Sequence, residues 1–240
     1  MTADELTGRT RSHVVDLPAA GCMLHRDVVQ PFLDLREAAR TAGHDLIAVS
    51  SFRDFERQRS IWNGKFRGER AVLDRQGRPL DLRDWPAADR INAILCWSAM
   101  PGASRHHWGS DIDVIDRSTL APGAAIELVP AAYRDDGPHA GLSVWLSENM
   151  TSFGFFRPYV SERTGVSPEP WHLSYAPISV PALRQLTPSV LREAWRTSEI
   201  DGVEWLLENI EILHARYVQD IDTLGSDDGF QSTKSASTGV

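Results

Sequence analysis

Apolar residues recur with a helical period from about His25 to Ala42. Val28, Val29, Phe32, Leu33 and Leu35 are followed there by Ala38 and Ala39, and Gly43 is placed to end the helix. Leu46-Ile47-Ala48-Val49 then reads as a buried strand. A second helix starts after Asp54, a residue of N-cap type, and puts Phe55, Ile61 and Trp62 on its inner side. Residues 64–84 lose the period and are rich in Gly, Arg and Asp. We read them as an irregular excursion, with a hairpin around Gln76-Gly77, able to wall one side of a cleft. Pro86 suits the first turn of a helix carrying Ile91, Ile94, Leu95 and Met100, which Pro101-Gly102 breaks.

The second half alternates shorter signals. Asp111-Ile112-Asp113-Val114-Ile115 has the two-residue period of a strand, with Asp111 and Asp113 on one face and Ile112 and Val114 on the other. After this strand, which runs to Asp116, residues 122–138 form a polar loop. Gly141 to Met150 has helical spacing through Leu142, Trp145 and Leu146, Gly154-Phe155-Phe156 is extended, and a strand is expected from Trp171 to Tyr175. Beyond Pro181, helices are predicted over Ser189–Arg196 and Val203–Val218. Residues 1–20 form a polar N-terminal segment, 21–224 one domain that includes the C-terminal helices, and the Ser, Thr and Gly-rich stretch 225–240 a disordered tail.

Composition narrows the class. A chain of 240 residues, 42% of them hydrophobic, suffices for one substantial core. The formal charge of −8, without a basic run, argues against a nucleic-acid or anionic-surface partner. Cys22 and Cys96 are too few for a disulfide framework, and Cys96 falls in an apolar helical pattern that suits a buried free thiol. Met1 to Leu17 lacks the apolar core of a secretory signal, and no stretch is long enough to span a bilayer. The expectation is a cytosolic protein or one released by a non-standard route.

The chemistry concentrates in Ser104-Arg105-His106-His107-Trp108-Gly109-Ser110-Asp111-Ile112-Asp113 and in Glu169-Pro170-Trp171-His172. Together these stretches read as a zinc site, because a catalytic zinc takes three ligands from His, Asp and Glu and keeps one position open. His106, Asp113 and His172 supply such a set. Glu169 is a carboxylate fit to act as general base on the attacking water. Gly109 can take a positive φ and fold the loop back over the polar face of the strand. Pro170 biases Glu169 towards extended backbone.

Ser104-x-His106-x-x-Gly109-x-x-x-Asp113 followed by Glu169-x-x-His172 resembles the VanY-type D-alanyl-D-alanine carboxypeptidases of the LAS zinc metallopeptidases, which also include hedgehog-like domains. Ser50-Ser51-Phe52-Arg53 looks like that family's Ser-x-Tyr-Arg segment, with Phe52 where Tyr is common. The resemblance, over residues 20–180, implies an α+β fold with a small, mainly antiparallel sheet carrying the zinc site and helices packed on it. It also implies Zn2+ on His106, Asp113 and His172, Glu169 as base, and Arg53 stabilising the oxyanion or holding the substrate. Ser104 and Gln58 are expected to contact a peptidoglycan peptide. Asp111 departs from the pattern, which usually has a small residue there, and adds a negative charge beside the site.

The expected activity is hydrolysis of the D-alanyl-D-alanine bond. L,D-carboxypeptidase, L-alanyl-D-glutamate endopeptidase and a non-catalytic hedgehog-like zinc module are the alternatives. Other histidines have plainer readings: His107 supports the site or faces the surface, His25, His44 and His139 are ordinary polar residues, and His214 belongs to a packed helix. A Ser104–His106 nucleophile is set aside because no Gly-x-Ser-x-Gly elbow is present. Trp171 is expected to pack beside His172.

Overall fold

The computed structural model describes residues 1–121 and 123–224, so the tail expected over 225–240 lies outside the described residues. A four-stranded antiparallel sheet organises the chain. Its members are β3 (Leu46–Ser50), β6 (Asp111–Asp116), β7 (Phe155–Phe156) and β8 (His172–Tyr175), in the order β3-β6-β8-β7. Two small hairpins stand apart from it: β1 (Val14–Leu17) with β2 (Cys22–His25), and β4 (Val72–Leu73) with β5 (Pro79–Leu80). The second of these is the hairpin predicted around Gln76-Gly77.

The alternation in β6 decides which face does what. Ile112 and Val114 join Leu173 of β8 in a core with Phe32 and Leu35 of α2 (Val29–Thr41) and Leu142 and Leu146 of α5 (Ala140–Asn149). Ile112 pairs with Leu173 across the strands, and neither has any exposed surface. Burying each stabilises the fold by about 1.5–3 kcal/mol. A second core gathers Phe55 and Trp62 of α3 (Phe55–Phe66), Ile91 and Ile94 of α4 (Ala87–Leu95), Leu191 of α7 (Pro188–Trp195), Leu206 of α8 (Val203–Glu208) and Ile210 of α9 (Ile210–His214). Asp54 caps α3 as expected, its side chain accepting from Arg57 N at 2.8 Å.

Four expectations change, the first at α4, which ends at Leu95 and leaves Met100 buried in the segment that follows it. The helix predicted from His25 begins at Val29, because Cys22 to His25 form β2, and His25 N donates to Gly109 O at 2.9 Å. Val203–Val218 is not one helix: it breaks at Asn209 into α8 and α9 and ends in a π-helical turn, Ala215–Gln219. A helix absent from the prediction, α6, spans Ala176–Gln185 and contains Pro181. Pro177 sits harmlessly in its first turn, and Pro181 deletes the bond that would run back to the Pro177 carbonyl.

The N-terminal residues pack on the domain. Leu6 of α1 (Ala3–Leu6) is 2% exposed, Trp108 Nε1 donates to Leu6 O at 3.1 Å, and Phe55 N donates to Gly8 O at 2.8 Å. Cys96 lies just past the end of α4 and is half-buried, and both cysteines are free. Among the described residues no helix is long and apolar enough to cross a membrane.

Candidate metal centre and catalytic pocket

One row across the sheet sets up the site. Ser50 of β3 pairs with Asp113 of β6, which pairs with His172 of β8. His106 reaches the same point from a 3-10 turn, Arg105–Trp108, that Gly109 ends at φ 66°. A Cβ on Gly109 would fall 2.6 Å from His25 N and from Val14 Cγ1, so glycine serves both the left-handed turn and the close seat on the β1–β2 hairpin. One ligand atom each of His106, Asp113 and His172 lies within 4.8 Å of the others, and all three residues are buried.

Hydrogen bonds fix which nitrogen each imidazole presents. His106 Nδ1 lies 3.0 Å from Ser51 O and 3.1 Å from Asp111 O, both acceptors, so it carries the proton and leaves Nε2 bare, 3.3 Å from Asp113 Oδ2. His172 Nε2 donates to Asp111 Oδ1 at 3.0 Å, which leaves Nδ1 facing Asp113 Oδ1 at 3.3 Å and Glu169 Oε2 at 3.2 Å. A bare nitrogen against two carboxylate oxygens is repulsive unless a proton or a metal cation stands among them. Burial alone would lower the His172 pKa, but bonds to Asp111, Asp113 and Glu169 outweigh it and hold the pKa well above the usual imidazole value. Asp113 Oδ1 is buried without a hydrogen-bond donor of its own. Two imidazole nitrogens and one carboxylate, converging with their outer nitrogens anchored, fit a zinc ion with an open position.

Asp111 explains itself in this geometry. It has no exposed surface, accepts from Arg105 Nε at 2.7 Å and from Ser110 Oγ at 2.7 Å, and grips His172 from behind. Burial disfavours its charge, yet Arg105 and His172 hold its carboxyl below the ordinary carboxylate range. Its negative charge is therefore matched by Arg105, itself bonded to Ser174 Oγ at 2.7 Å, and does not add to the pocket.

Glu169 and Arg53 stand on loops. Glu169 N donates to Tyr159 O at 2.8 Å and His172 N to Glu169 O at 3.0 Å, a turn that sets the carboxylate beside His172 Nδ1. Arg53 Nη1 donates to Gln58 Oε1 at 2.8 Å and Nη2 to Ser50 Oγ at 3.1 Å. Gln58 is fully buried and its Nε2 donates to Ala99 O at 2.7 Å, so both its ends are engaged within the protein and it braces Arg53 from below. Arg53, Ser104, His106, Asp113, Glu169 and His172 line one cavity of about 310 Å³, with Leu73 of the β4–β5 hairpin in its wall. A larger surface groove of about 810 Å³ adjoins it at Leu73 and Tyr217 and contains none of the ligand trio.

Residues 21–178 match the family described as VanY: D-alanyl-D-alanine carboxypeptidase. The chain belongs to the VanY family. Among relatives, an uncharacterized protein of Haemophilus influenzae is 36% identical over 127 residues, 52% of this chain and 95% of the relative. A D-alanyl-D-alanine carboxypeptidase of Enterococcus faecalis is 30% identical over 154 residues, 62% of this chain but only 47% of that enzyme. VanYB in complex with D-alanine-D-alanine shares the fold, with a TM-score of 0.50 at 24% identity, covering 78% of this chain and 89% of that one.

Around this VanY-family centre the structure adds Tyr159, which the sequence did not single out, and places the aromatic residues that it did. Tyr159 and His172 meet in a T-shaped contact, with centroids 5.2 Å apart, and burial pushes the Tyr159 phenol up to about 12, so it stays a neutral donor in the pocket wall. His107 is fully buried: Nε2 accepts from Gly102 N at 3.1 Å, so Nδ1 carries the proton and donates to Arg53 O at 2.6 Å. Burial pushes its pKa down to about 3, and it holds the Arg53 backbone as a neutral ring. Trp171 is 4% exposed and stacks on Trp97, centroids 6.1 Å apart. His44 pairs with Asp116 at 2.7 Å and His214 with Leu186 O at 2.6 Å, away from the ligand set.

Proposed function

We propose that this protein is a zinc-dependent carboxypeptidase that removes the terminal D-alanine from peptidoglycan peptides ending in D-alanyl-D-alanine. The observation that carries the reading is the position of Glu169. Its Oε2 lies 3.2 Å from the bare Nδ1 of His172, at the mouth of the ligand set, with Arg53 lining the same cavity. A binding module has no need of a carboxylate there; a hydrolase does.

When bound, zinc would supply Lewis acidity to the scissile carbonyl and to the attacking water. Glu169 takes one proton from that water as its oxygen bonds to the carbonyl carbon, and passes it to the amine nitrogen as the C–N bond breaks. Arg53, fixed by Gln58, Ser50 and His107, meets negative charge that develops on the carbonyl oxygen or stands on the substrate terminus. Asp111 and Ser51 hold the two imidazoles in the tautomers that leave their inner nitrogens free.

Incubating the zinc-loaded protein with muropeptides and weighing the products tests this reading. Loss of one D-alanine from pentapeptides is expected. Loss from tetrapeptides instead would move the assignment to an L,D-carboxypeptidase, and release of the stem at L-alanine would make it an endopeptidase. Zinc-dependent binding with no turnover would leave only the module.

A further inference from the structure

The loop that carries Glu169 has no strand or helix of its own to hold it. Residues 157–169 run irregularly from β7 towards β8, and they bring Tyr159 and Glu169 into the pocket wall. Such a segment keeps one place only if its backbone groups are bonded from elsewhere. Asp222 supplies those bonds. It is 1% exposed and lies well beyond the family-matched residues 21–178. Its Oδ2 accepts from Val160 N and from Ser161 N, each at 2.8 Å, and its Oδ1 accepts from Ser161 Oγ at 2.7 Å and from Arg163 Nη2 at 2.6 Å. Asp222 N in turn donates to Pro158 O at 2.9 Å.

This grip closes on both sides of Tyr159, and the site leans on Tyr159. Its carbonyl accepts from Glu169 N at 2.8 Å, and its ring meets His172. The far end of the loop is tied separately. Arg75, in the turn of the β4–β5 hairpin, donates from Nη2 to Thr164 O at 3.0 Å and to Gly165 O at 2.6 Å, and Arg216 Nε donates to Thr164 O at 2.7 Å. None of these bonds reaches 158–161. Bonds to an ionised carboxylate are also stronger than those between neutral groups, so the end next to Tyr159 has the firmer hold. We infer that Asp222 is a positioning residue for the reaction: by fixing the backbone on either side of Tyr159, it sets where the Glu169 carboxylate stands against the metal ligands.

The inference rests on the reading of Glu169 as general base, and its test separates the two. Zinc-loaded full-length wild type, Asp222→Ala, Asp222→Ser and Asp222→Asn are compared in turnover of a pentapeptide ending in D-Ala-D-Ala and, by NMR, in amide hydrogen exchange. Asparagine keeps an oxygen for the two backbone amides, and Arg163 keeps Asp220 as a partner at 2.6 Å in every variant. Asp222→Ala and Asp222→Ser should retain stoichiometric zinc and a KM within about twofold, but lose kcat by roughly tenfold or more, the mark of a displaced reacting group. Asp222→Asn should recover most of that loss. Exchange of the Val160, Ser161 and Glu169 amides should quicken by roughly tenfold or more in the Ala and Ser variants, while the amides of β6 stay protected. An unchanged kcat in a protein whose loop exchanges faster overturns the inference, as does an Asn variant no better than Ala. Exchange that quickens equally in β6, with turnover falling only as the folded fraction falls, also overturns it, since that is what a merely structural role predicts. A Glu169 amide freed by Asp222→Ala in a protein whose wild type turns nothing over would uphold the hold on Glu169 and refute the hydrolase.

Discussion

Asp113 and His172 face each other across paired strands, whereas Arg53 and Glu169 stand on loops, and the two halves of the pocket are held by different physics. The ligand half is set by register: a one-residue slip of β8 would send His172 into the apolar core and Leu173 into the pocket. The loop half is set by side chains and carbonyls that reach from elsewhere, Gln58 and Ser50 on the Arg53 guanidinium, His107 on its backbone, Tyr159 O on Glu169 N. The first arrangement should tolerate little substitution, because each member is a proposed ligand. The second can lose one support and keep the metal, so the halves should separate experimentally.

The largest effect belongs to the ligand half. His106→Ala, Asp113→Ala or His172→Ala each removes one of three proposed ligands, and zinc should be absent from the purified variant by metal analysis, with hydrolysis lost and not restored by added Zn2+. Retention of stoichiometric zinc by any of the three would break the ligand assignment. On the loop half, Glu169→Gln should retain zinc and lose turnover by a factor of roughly 10² or more, as for a displaced general base. Comparable loss of zinc in this variant would mean that Glu169 is a ligand, and the division between the halves would fail.

Asp111 sits between the two and sharpens the distinction. Asp111→Asn still offers an oxygen to His172 Nε2 but strips Arg105 of its counter-charge. Zinc affinity should fall by about 10- to 100-fold, the usual consequence of disturbing a group behind a ligand, while turnover at saturating zinc changes little. Competition with a chelator of known affinity measures the first quantity, and activity titrated with zinc the second. Unchanged affinity would show that the His172 ring is oriented by strand geometry alone.

The same contrast explains what the sequence discloses. The convergence of His106, Asp113, Glu169 and His172 is legible because the metal and base chemistry proposed for them demands particular residue types, and the alternation from Asp111 to Val114 places the two aspartates on one face. The strands β3, β6 and β8 follow from the same alternation and from a run of β-formers. The supports of the loop half leave little trace. Ser51 O, Tyr159 O and Ala99 O are backbone atoms, which any residue supplies. Gln58 reads as an ordinary polar position of a helix until the fold turns it inward. Pro177 and Pro181 hide α6, since the pattern that marks a helix is read through residues that usually end one. His25 belongs to a strand because of a partner far along the chain, Gly109, which no local period reports.

The smallest effect, and the finest probe of the loop half, is the pH dependence of His107. Its pKa is held near 3 in the folded protein, against about 6.5 in an unfolded chain. Between those values the unfolded chain takes up a proton that the folded protein refuses. The stability His107 contributes is therefore fully present above pH 6.5 and is lost as the pH falls towards 3, by up to about 1.4 kcal/mol per pH unit. In metal-free protein His172 works the other way: its raised pKa contributes stability that is present below its unfolded value and lost as the pH rises. Asp111 and Asp113, with lowered pKa values, are felt only as the pH nears the carboxylate range. Comparing wild type with His107→Gln cancels these other groups, and glutamine can still accept from Gly102 N and donate to Arg53 O. Denaturant midpoints at pH 7 should show the variant less stable by about 1–3 kcal/mol, and at pH 5 the gap should shrink by about 2 kcal/mol. A gap that is the same at both values would mean that His107 protonates freely in the fold, and that Arg53 is not held by a neutral ring.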